Sequence, residues 1–464
     1  MLNDYIKEQI LQNFAFSPTS DQEKMASVLA DFVLSQDDKS VGVLLGYAGT
    51  GKTSLVGAFV RTMEQMEYNC VLMAPTGRAA KVFSLYSEHQ AYTIHKTIYR
   101  QKSILQLDSF SLGFNSLKQT LFIVDEASMI DEGKVLDDLI QFVYGSERHC
   151  RLLLVGDTAQ LPPVGETLSP ALQPDTLEMF GLTLFVARLE QVVRQSEQSG
   201  ILFNATMLRQ LIAKGLTSAF PQFHLDGFAD IVKVPGDELI DTLDSCYARY
   251  GTDDTIVICR SNKRAVIYNR GIRAQILDYE DELTSRDMVM IAKNNYYWVK
   301  PQLPSGELEG ASVSFLANGD ICRVRRVRHV REFYGFRFAD CVLALPDYDD
   351  YEFEATVLLD TLHEEAPSLT PEHQQKLTEE VLADYADIPN KQDRLKKLKE
   401  DPYFNALQLK YAYAVTCHKA QGGQWGHVFI DQGYMTEEMI GPDYYRWLYT
   451  AITRATEKVY LVNF

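Results

Sequence analysis

The chain has 464 residues, and its 45 lysines and arginines face 63 aspartates and glutamates, a formal charge of −18. Hydrophobic residues make up 46% and charged residues 23%, a balance too apolar for a disordered protein and sufficient for about two to four packed domains. The acidic balance excludes a histone-like coat of bulk positive charge, and no uncharged apolar run approaches the roughly 20 residues of a membrane span. The seven cysteines are scattered with no C-x-x-C pair. A disulfide framework and a zinc site are therefore not expected, and a reducing cytosol is. The opening MLNDYIKEQI lacks the charged and apolar regions of a signal peptide.

In chain order, 41–45, 70–74, 121–124 and 152–155 read as buried strands of a parallel sheet. Each is followed by a loop rich in Gly, Thr, Asp or Pro and then by a helix-compatible stretch. A second alternating region follows residue 194, with its clearest strands at 255–259, 413–416, 427–430 and 459–462. Between 276 and 404 the pattern changes: 312–345 reads as short antiparallel strands, with Asn318-Gly319-Asp320 as the hairpin signal. The charged stretch 372–399 is helix-compatible. Charge marks the same region, since 346–405 holds 16 acidic against 6 basic residues while 321–337 holds six arginines and one acid. The expected architecture is α/β, with two parallel-sheet domains and a small β-rich insertion in the second. The expected limits are 1–195 for the first domain, 196–275 plus 405–464 for the second, and 276–404 for the insertion.

Two motifs carry chemistry on their own residues. GYAGTGKT at 46–53 follows a strand and opens a helix. Its Gly46, Gly49 and Gly51 let backbone amides wrap phosphates, Lys52 reaches the β- and γ-phosphates, and the Thr53 hydroxyl holds Mg²⁺. The run LFIVDE at 121–126 delivers Asp125 and Glu126 at a strand end, one carboxylate for the metal shell and its neighbour for the attacking water. ATP and Mg²⁺ are thus the expected ligands.

The ordered series resembles the superfamily 1B DNA helicases of the RecD-like and Dda-like type. Besides the two motifs above it comprises APTGRAAKV (74–82), TIHKTIY (93–99), LLLVGDTAQLPPVG (152–165), LEQVVRQ (189–195), TCHKAQGGQW (416–425) and YTAITRATEKVYLV (449–462). The resemblance covers most of the chain except about 346–404. It implies RecA-like domains, an Src-homology-3-like barrel as the insertion, and a DNA-dependent ATPase that moves 5′-to-3′ along single strands and parts duplex. By the same resemblance Gln22 reads adenine, and Ala48, Thr50, Ser54 and Gly422 complete the ATP site. Gln160 senses the γ-phosphate; Arg194 and Arg454 face it as cations. Single-stranded DNA would run past Pro75, Thr76, Gly77, His95, Lys96, Arg260, Asn262, Thr416, His418, Lys419 and Gln421, with Trp425 stacking a base. Residues 100–119 take the place of the strand-separating pin, with Phe110 and Phe114 as wedges at a single-strand/double-strand junction. Two other readings stay open on the residues alone: the same motor on RNA, because phosphate contacts barely distinguish the two, and a non-motor P-loop switch. No membrane partner is expected.

Overall fold

The computed structural model describes residues 2–101, 110–146, 148–191, 198–299, 313 and 315–464. The first domain is built on strands β1 (Ser40–Gly46), β2 (Asn69–Ala74), β3 (Ala91–Thr93), β4 (Tyr99–Gln101), β5 (Phe110–Leu112), β6 (Thr120–Val124), β7 (Arg151–Gly156) and β8 (Thr183–Leu189). Six of them form a sheet in the order β3-β2-β6-β7-β1-β8, every pair parallel. β1 and β6 are buried at every position, as strands covered on both faces must be. One face packs under Met25, Leu29, Phe59 and Phe83, and the other under Leu139, Phe142 and Leu172. β4 and β5 stand apart as a two-stranded antiparallel ribbon.

In the second domain β9 (Ile231–Val234) and β10 (Thr255–Cys259) precede a barrel of β11 (Met288–Ile291), β12 (Ile321–Phe333), β13 (Phe336–Leu345), β14 (Tyr351–Leu358) and β15 (Leu407–Tyr411). The chain then returns with β16 (Ala414–Thr416), β17 (Trp425–Asp431) and β18 (Ala455–Val462). The sheet order is β16-β10-β17-β18-β9, again parallel throughout. Two parallel sheets joined to a small closed barrel are the architecture expected of the sequence.

One boundary and one turn differ from expectation. The barrel closes through β15, which pairs with β11 and β14, so the insertion runs to about 411 rather than 404. The run from 407 to 416 is continuously β-favourable and serves two sheets in succession, which composition cannot divide. The barrel hairpin does not turn at Asn318-Gly319-Asp320, which leads from an isolated bridge at Leu316 into β12. It turns at Tyr334-Gly335, where both residues have positive φ (57° and 71°) and Phe333 pairs with Phe336, the geometry of a type I′ hairpin.

The acidic stretch forms helices Pro371–Ala383 and Lys391–Lys399. They bury Leu377, Val381 and Leu398 against Phe336 and Phe338 of the barrel and turn their charges outward. The barrel is fixed to the second domain by Arg273, whose Nε and Nη2 donate to the two oxygens of buried Asp287 at 2.8 Å each, while the Tyr413 hydroxyl donates to the same carboxylate. Among the described residues no helix is long and apolar enough to cross a membrane.

Candidate functional site: an interdomain nucleotide cleft and a paired-edge track

The loop after β1 is held in shape before any ligand arrives. Gly49 and Gly51 take φ of 74° and 75°, a region that costs other residues about 1–2 kcal/mol. The Thr50 hydroxyl donates to the Tyr47 carbonyl at 2.7 Å, and helix Lys52–Gln65 starts directly after Gly51, so its first amides point into the loop. Lys52 Nζ donates to the Gly46 carbonyl at 3.2 Å, a neutral partner that a phosphate displaces readily.

β6 and β7 end beside this loop and supply its acids. Asp125, buried, is pushed up to about 6 by desolvation, with Lys52 opposing the shift. Glu126 follows at φ 54°, outside the strand conformation, so the two neighbouring carboxylates part company. Asp157 at the end of β7 is also raised by burial, with Lys52 and a hydrogen bond from Tyr449 opposing. The far wall comes from the second domain. Arg454 is 4% exposed and donates to the carbonyls of Thr450 and Gly423, and its Nη1 lies 3.8 Å from Glu126 Oε1. Two buried acceptors facing this space, Glu126 Oε2 and Gln160 Oε1, have no hydrogen-bond partner among the described residues. Ala48, Thr53 and Ser54 line the same cleft.

Several expected residues stand elsewhere. Gln22 is 1% exposed, with its carboxamide accepting from the Thr19 amide at 2.8 Å and donating to the Thr50 carbonyl at 2.9 Å. It braces the loop from behind, using one oxygen lone pair and one N–H for these two bonds. Gly422 does not reach the loop. A Cβ there would meet Ala79 at 2.7 Å and Thr76 Oγ1 at 3.2 Å, so Gly422 is the close approach between the two domains, and Gln424 lines the cleft instead. Gln421 is buried and donates to the Leu161 carbonyl at 2.7 Å, away from any track. Trp425 is 4% exposed with the Arg78 guanidinium 4.0 Å above its ring, which leaves no face for a base. Phe114 is 74% exposed under the Arg148 guanidinium at 4.8 Å. It follows the foot of the β4–β5 ribbon and precedes β6, so it belongs to the N-terminal edge of the sheet, opposite Asp125. Phe110 opens β5 within the ribbon. Arg194 lies outside the described residues.

The remaining expected residues gather at the C-terminal ends of two edge-strand pairs, β2 and β3 in the first sheet and β10 and β16 in the second. Thr76 caps helix Gly77–Ser87, its hydroxyl accepting from the Ala79 amide at 3.2 Å, after Pro75 at the strand end. Gly77, Lys96 and Tyr92 line one hollow with Phe315 and Tyr348 of the barrel, and His95 lies 6.1 Å from the Phe315 ring. Asn262, Thr416 and Lys419 line a second hollow with Met290, Ile291 and Lys410, and Lys419 donates to Asn318. Burial lowers the pKa of Lys96 and Lys419, so both ammoniums stand partly desolvated, where a phosphate would favour the charged form. His418 is exposed. Arg260 turns toward Met435 and Tyr444 rather than into either hollow.

Asp157, Arg446 and Tyr449 went unassigned in the sequence. A Gly-Asp pair at the end of a third neighbouring strand and a tyrosine five residues ahead of Arg454 were the available signals.

The chain matches the model of an AAA domain over residues 21–219 and that of a UvrD-like helicase C-terminal domain over 411–462. It is 34% identical over 163 residues to the ATP-dependent RecD2 DNA helicase of Deinococcus radiodurans, a stretch covering 34% of this chain and 20% of that one. It is 28% identical over 172 residues to an uncharacterized protein, R530, of Acanthamoeba polyphaga mimivirus, covering 32% and 34%. The matched stretches thus span about a third or less of these relatives. Among solved structures, Pif1 helicase from Bacteroides in complex with ADP-AlF3 and ssDNA has a TM-score of 0.48 at 16% identity, covering 97% of this chain and 93% of that one. Pif1 helicase from Candida albicans gives 0.43 at 16%, covering 97% and 95%. With an AAA-domain model on the first parallel-sheet domain, a UvrD-like helicase C-terminal model on the second and the motif series in order along both, the chain is similar to the superfamily 1B helicases of the RecD-like type.

Proposed function

We propose that the protein is an ATP-driven DNA helicase that translocates 5′-to-3′ on single-stranded DNA and opens duplex at single-strand/double-strand junctions. The observation that carries this reading is the approach of Arg454, from the second domain, to within 3.8 Å of Glu126 in the first, across a cleft that holds a phosphate-binding loop. A cation delivered by domain closure to the water-activating carboxylate links hydrolysis to domain movement, which a static ATP-binding switch does not need.

In this reading Lys52 and the loop amides hold the β- and γ-phosphates. The Thr53 hydroxyl and Asp125 suit Mg²⁺, because the buried carboxyl, raised to about 6, regains its charge beside a cation. When bound, the metal draws negative charge from the phosphate oxygens. Glu126 Oε2, unpartnered among the described residues, accepts a hydrogen bond from the attacking water, and the Gln160 carboxamide stands beside it. Arg454 faces the phosphoryl group as charge develops. The two hollows under the barrel form the DNA track, with Thr76, Gly77, His95 and Lys96 on one domain and Asn262, Thr416, His418 and Lys419 on the other. Closure of the cleft brings these two groups together, and hydrolysis lets them part.

The test is Arg454→Ala. It should bind ATP and oligothymidine separately while DNA-stimulated turnover falls by ~10³-fold or more. Arg454→Lys should recover little of it, since an ammonium lacks the planar fork. Turnover near wild type in Arg454→Ala would contradict the reading.

A further inference from the structure

Helix Pro442–Ile452 presents one face to the nucleotide cleft. Arg446 donates to the Thr158 and Gln160 carbonyls, and the Thr450 hydroxyl accepts from the Leu161 amide at 2.8 Å. Between them in the helical repeat, Tyr449 is 1% exposed. Its hydroxyl donates to Asp157 Oδ2 at 2.6 Å and accepts from the Ala48 amide at 2.8 Å. One oxygen therefore joins three elements: a second-domain helix, the phosphate-binding loop and the loop that carries Gln160.

We propose that Tyr449 is a positioning residue that couples nucleotide affinity to the state of the DNA track, by tying the phosphate-binding loop and the 157–161 loop to the second domain through its hydroxyl. The inference rests on the ATP-hydrolysis reading above. An apolar side chain at a moving boundary slides and keeps most of its contact. A hydroxyl with one donated and one accepted bond holds only in one geometry, because hydrogen bonds weaken steeply with distance and angle. Asp157 makes the bond consequential. It is buried, and its two main counterweights are Lys52 and the Tyr449 hydroxyl. When the second domain shifts to follow DNA, the hydroxyl withdraws, the Ala48 amide is released and Asp157 keeps only the Ala159 amide, at 2.9 Å, and Lys52 as counterweights. The same lysine is then shared between Asp157 and an incoming phosphate. DNA bound at the far edge of both sheets thereby changes the grip on ATP without touching it.

The test is the affinity for the magnesium complex of a non-hydrolysable ATP analogue, with and without a short oligothymidine. In the wild-type chain oligothymidine should change that affinity about fivefold or more, within the usual range of coupling between sites. In Tyr449→Phe, which keeps the ring and its packing, the change should shrink below about twofold. Thr450→Val loosens the same interface without reaching Ala48 and should keep the wild-type change. A full change in Tyr449→Phe, whatever its melting temperature, overturns the proposal, as does its loss in Thr450→Val. If Tyr449→Phe does not fold, hydrogen exchange of the Ala48 peptide in the wild-type chain decides. Oligothymidine alone should alter it, and unaltered exchange overturns the proposal. If the wild-type chain shows no coupling and its turnover ignores DNA, the helicase reading falls and the coupling role falls with it.

Discussion

Between Asp125 and Glu126 the backbone leaves the strand, and Glu126 takes φ 54° at a cost of about 1–2 kcal/mol. Two consecutive carboxylates would otherwise point to opposite faces of the sheet. The left-handed residue brings both to the cleft in separate roles, one beside Lys52 and one beside Arg454. Glu126→Gln should therefore keep ATP affinity within a few-fold of wild type and lose hydrolysis by ~10²-fold or more, read in single-turnover assays. Lys52→Ala should weaken nucleotide binding itself. At this scale the motifs on β1, β6 and β7 were legible, because each needs a particular residue type at a strand end. The bracing contacts of Gln22, Gln421 and Trp425, which the motifs did not announce, have a common cause. A polar or aromatic residue inside a recognised motif can as well brace the backbone of its neighbour, and only three-dimensional placement says which carbonyl or guanidinium it meets.

The β4–β5 ribbon follows helix Ile94–Ile98, which carries His95 and Lys96, so it emerges beside one end of the proposed track. Phe110 opens the returning strand, whereas Phe114 lies beyond the ribbon's foot under Arg148. Phe110→Ala should lower duplex unwinding several-fold with single-strand-stimulated ATPase near wild type, since base–aromatic stacking is worth about 1–3 kcal/mol per base. Phe114→Ala should leave both unchanged. Equal loss of unwinding in both variants would contradict the assignment of the wedge to the ribbon.

Where the barrel meets the first domain, Gly77 is close-packed: a Cβ there would meet the Tyr348 hydroxyl and, at 2.8 Å, Asp320 Oδ1. Asp320 is buried and pushed up to about 7 by desolvation. Folding raises this pKa from 3.8, so the folded chain retains a proton the unfolded chain releases. The group's contribution to stability falls as pH rises through that window and is flat above it. Asp320→Asn keeps an acceptor for the Ala317 amide. In urea titrations its advantage over wild type should grow by roughly 2–4 kcal/mol between pH 5 and pH 8. Equal differences at both values would show that ionisation at this position costs nothing. The barrel was readable as a change of pattern, but its hairpin was not. Asn-Gly-Asp is the stronger turn signal in isolation, whereas Tyr334-Gly335 turns because the long strands on either side must pair.

Across the whole molecule, two parallel sheets place their phosphate-binding and arginine-bearing ends on one cleft. Their outer strands β3 and β16 meet the barrel on the far side. The domain alternation that produces this was visible as apolar runs separated by helix-length stretches. The contact of the two sheets was not, because it depends on small surfaces such as Gly422 against Ala79 and on single hydrogen bonds such as Thr450 to Leu161. The proposed 5′-to-3′ direction rests on the resemblance to the superfamily 1B helicases rather than on this geometry. The most direct measurement is unwinding of duplexes that carry a single-stranded tail on either the 5′ or the 3′ side, with ATP turnover followed in parallel. Both tails should stimulate hydrolysis, and only the 5′-tailed duplex should be opened. Opening of the 3′-tailed duplex alone would contradict the direction, and turnover indifferent to either tail would contradict the motor.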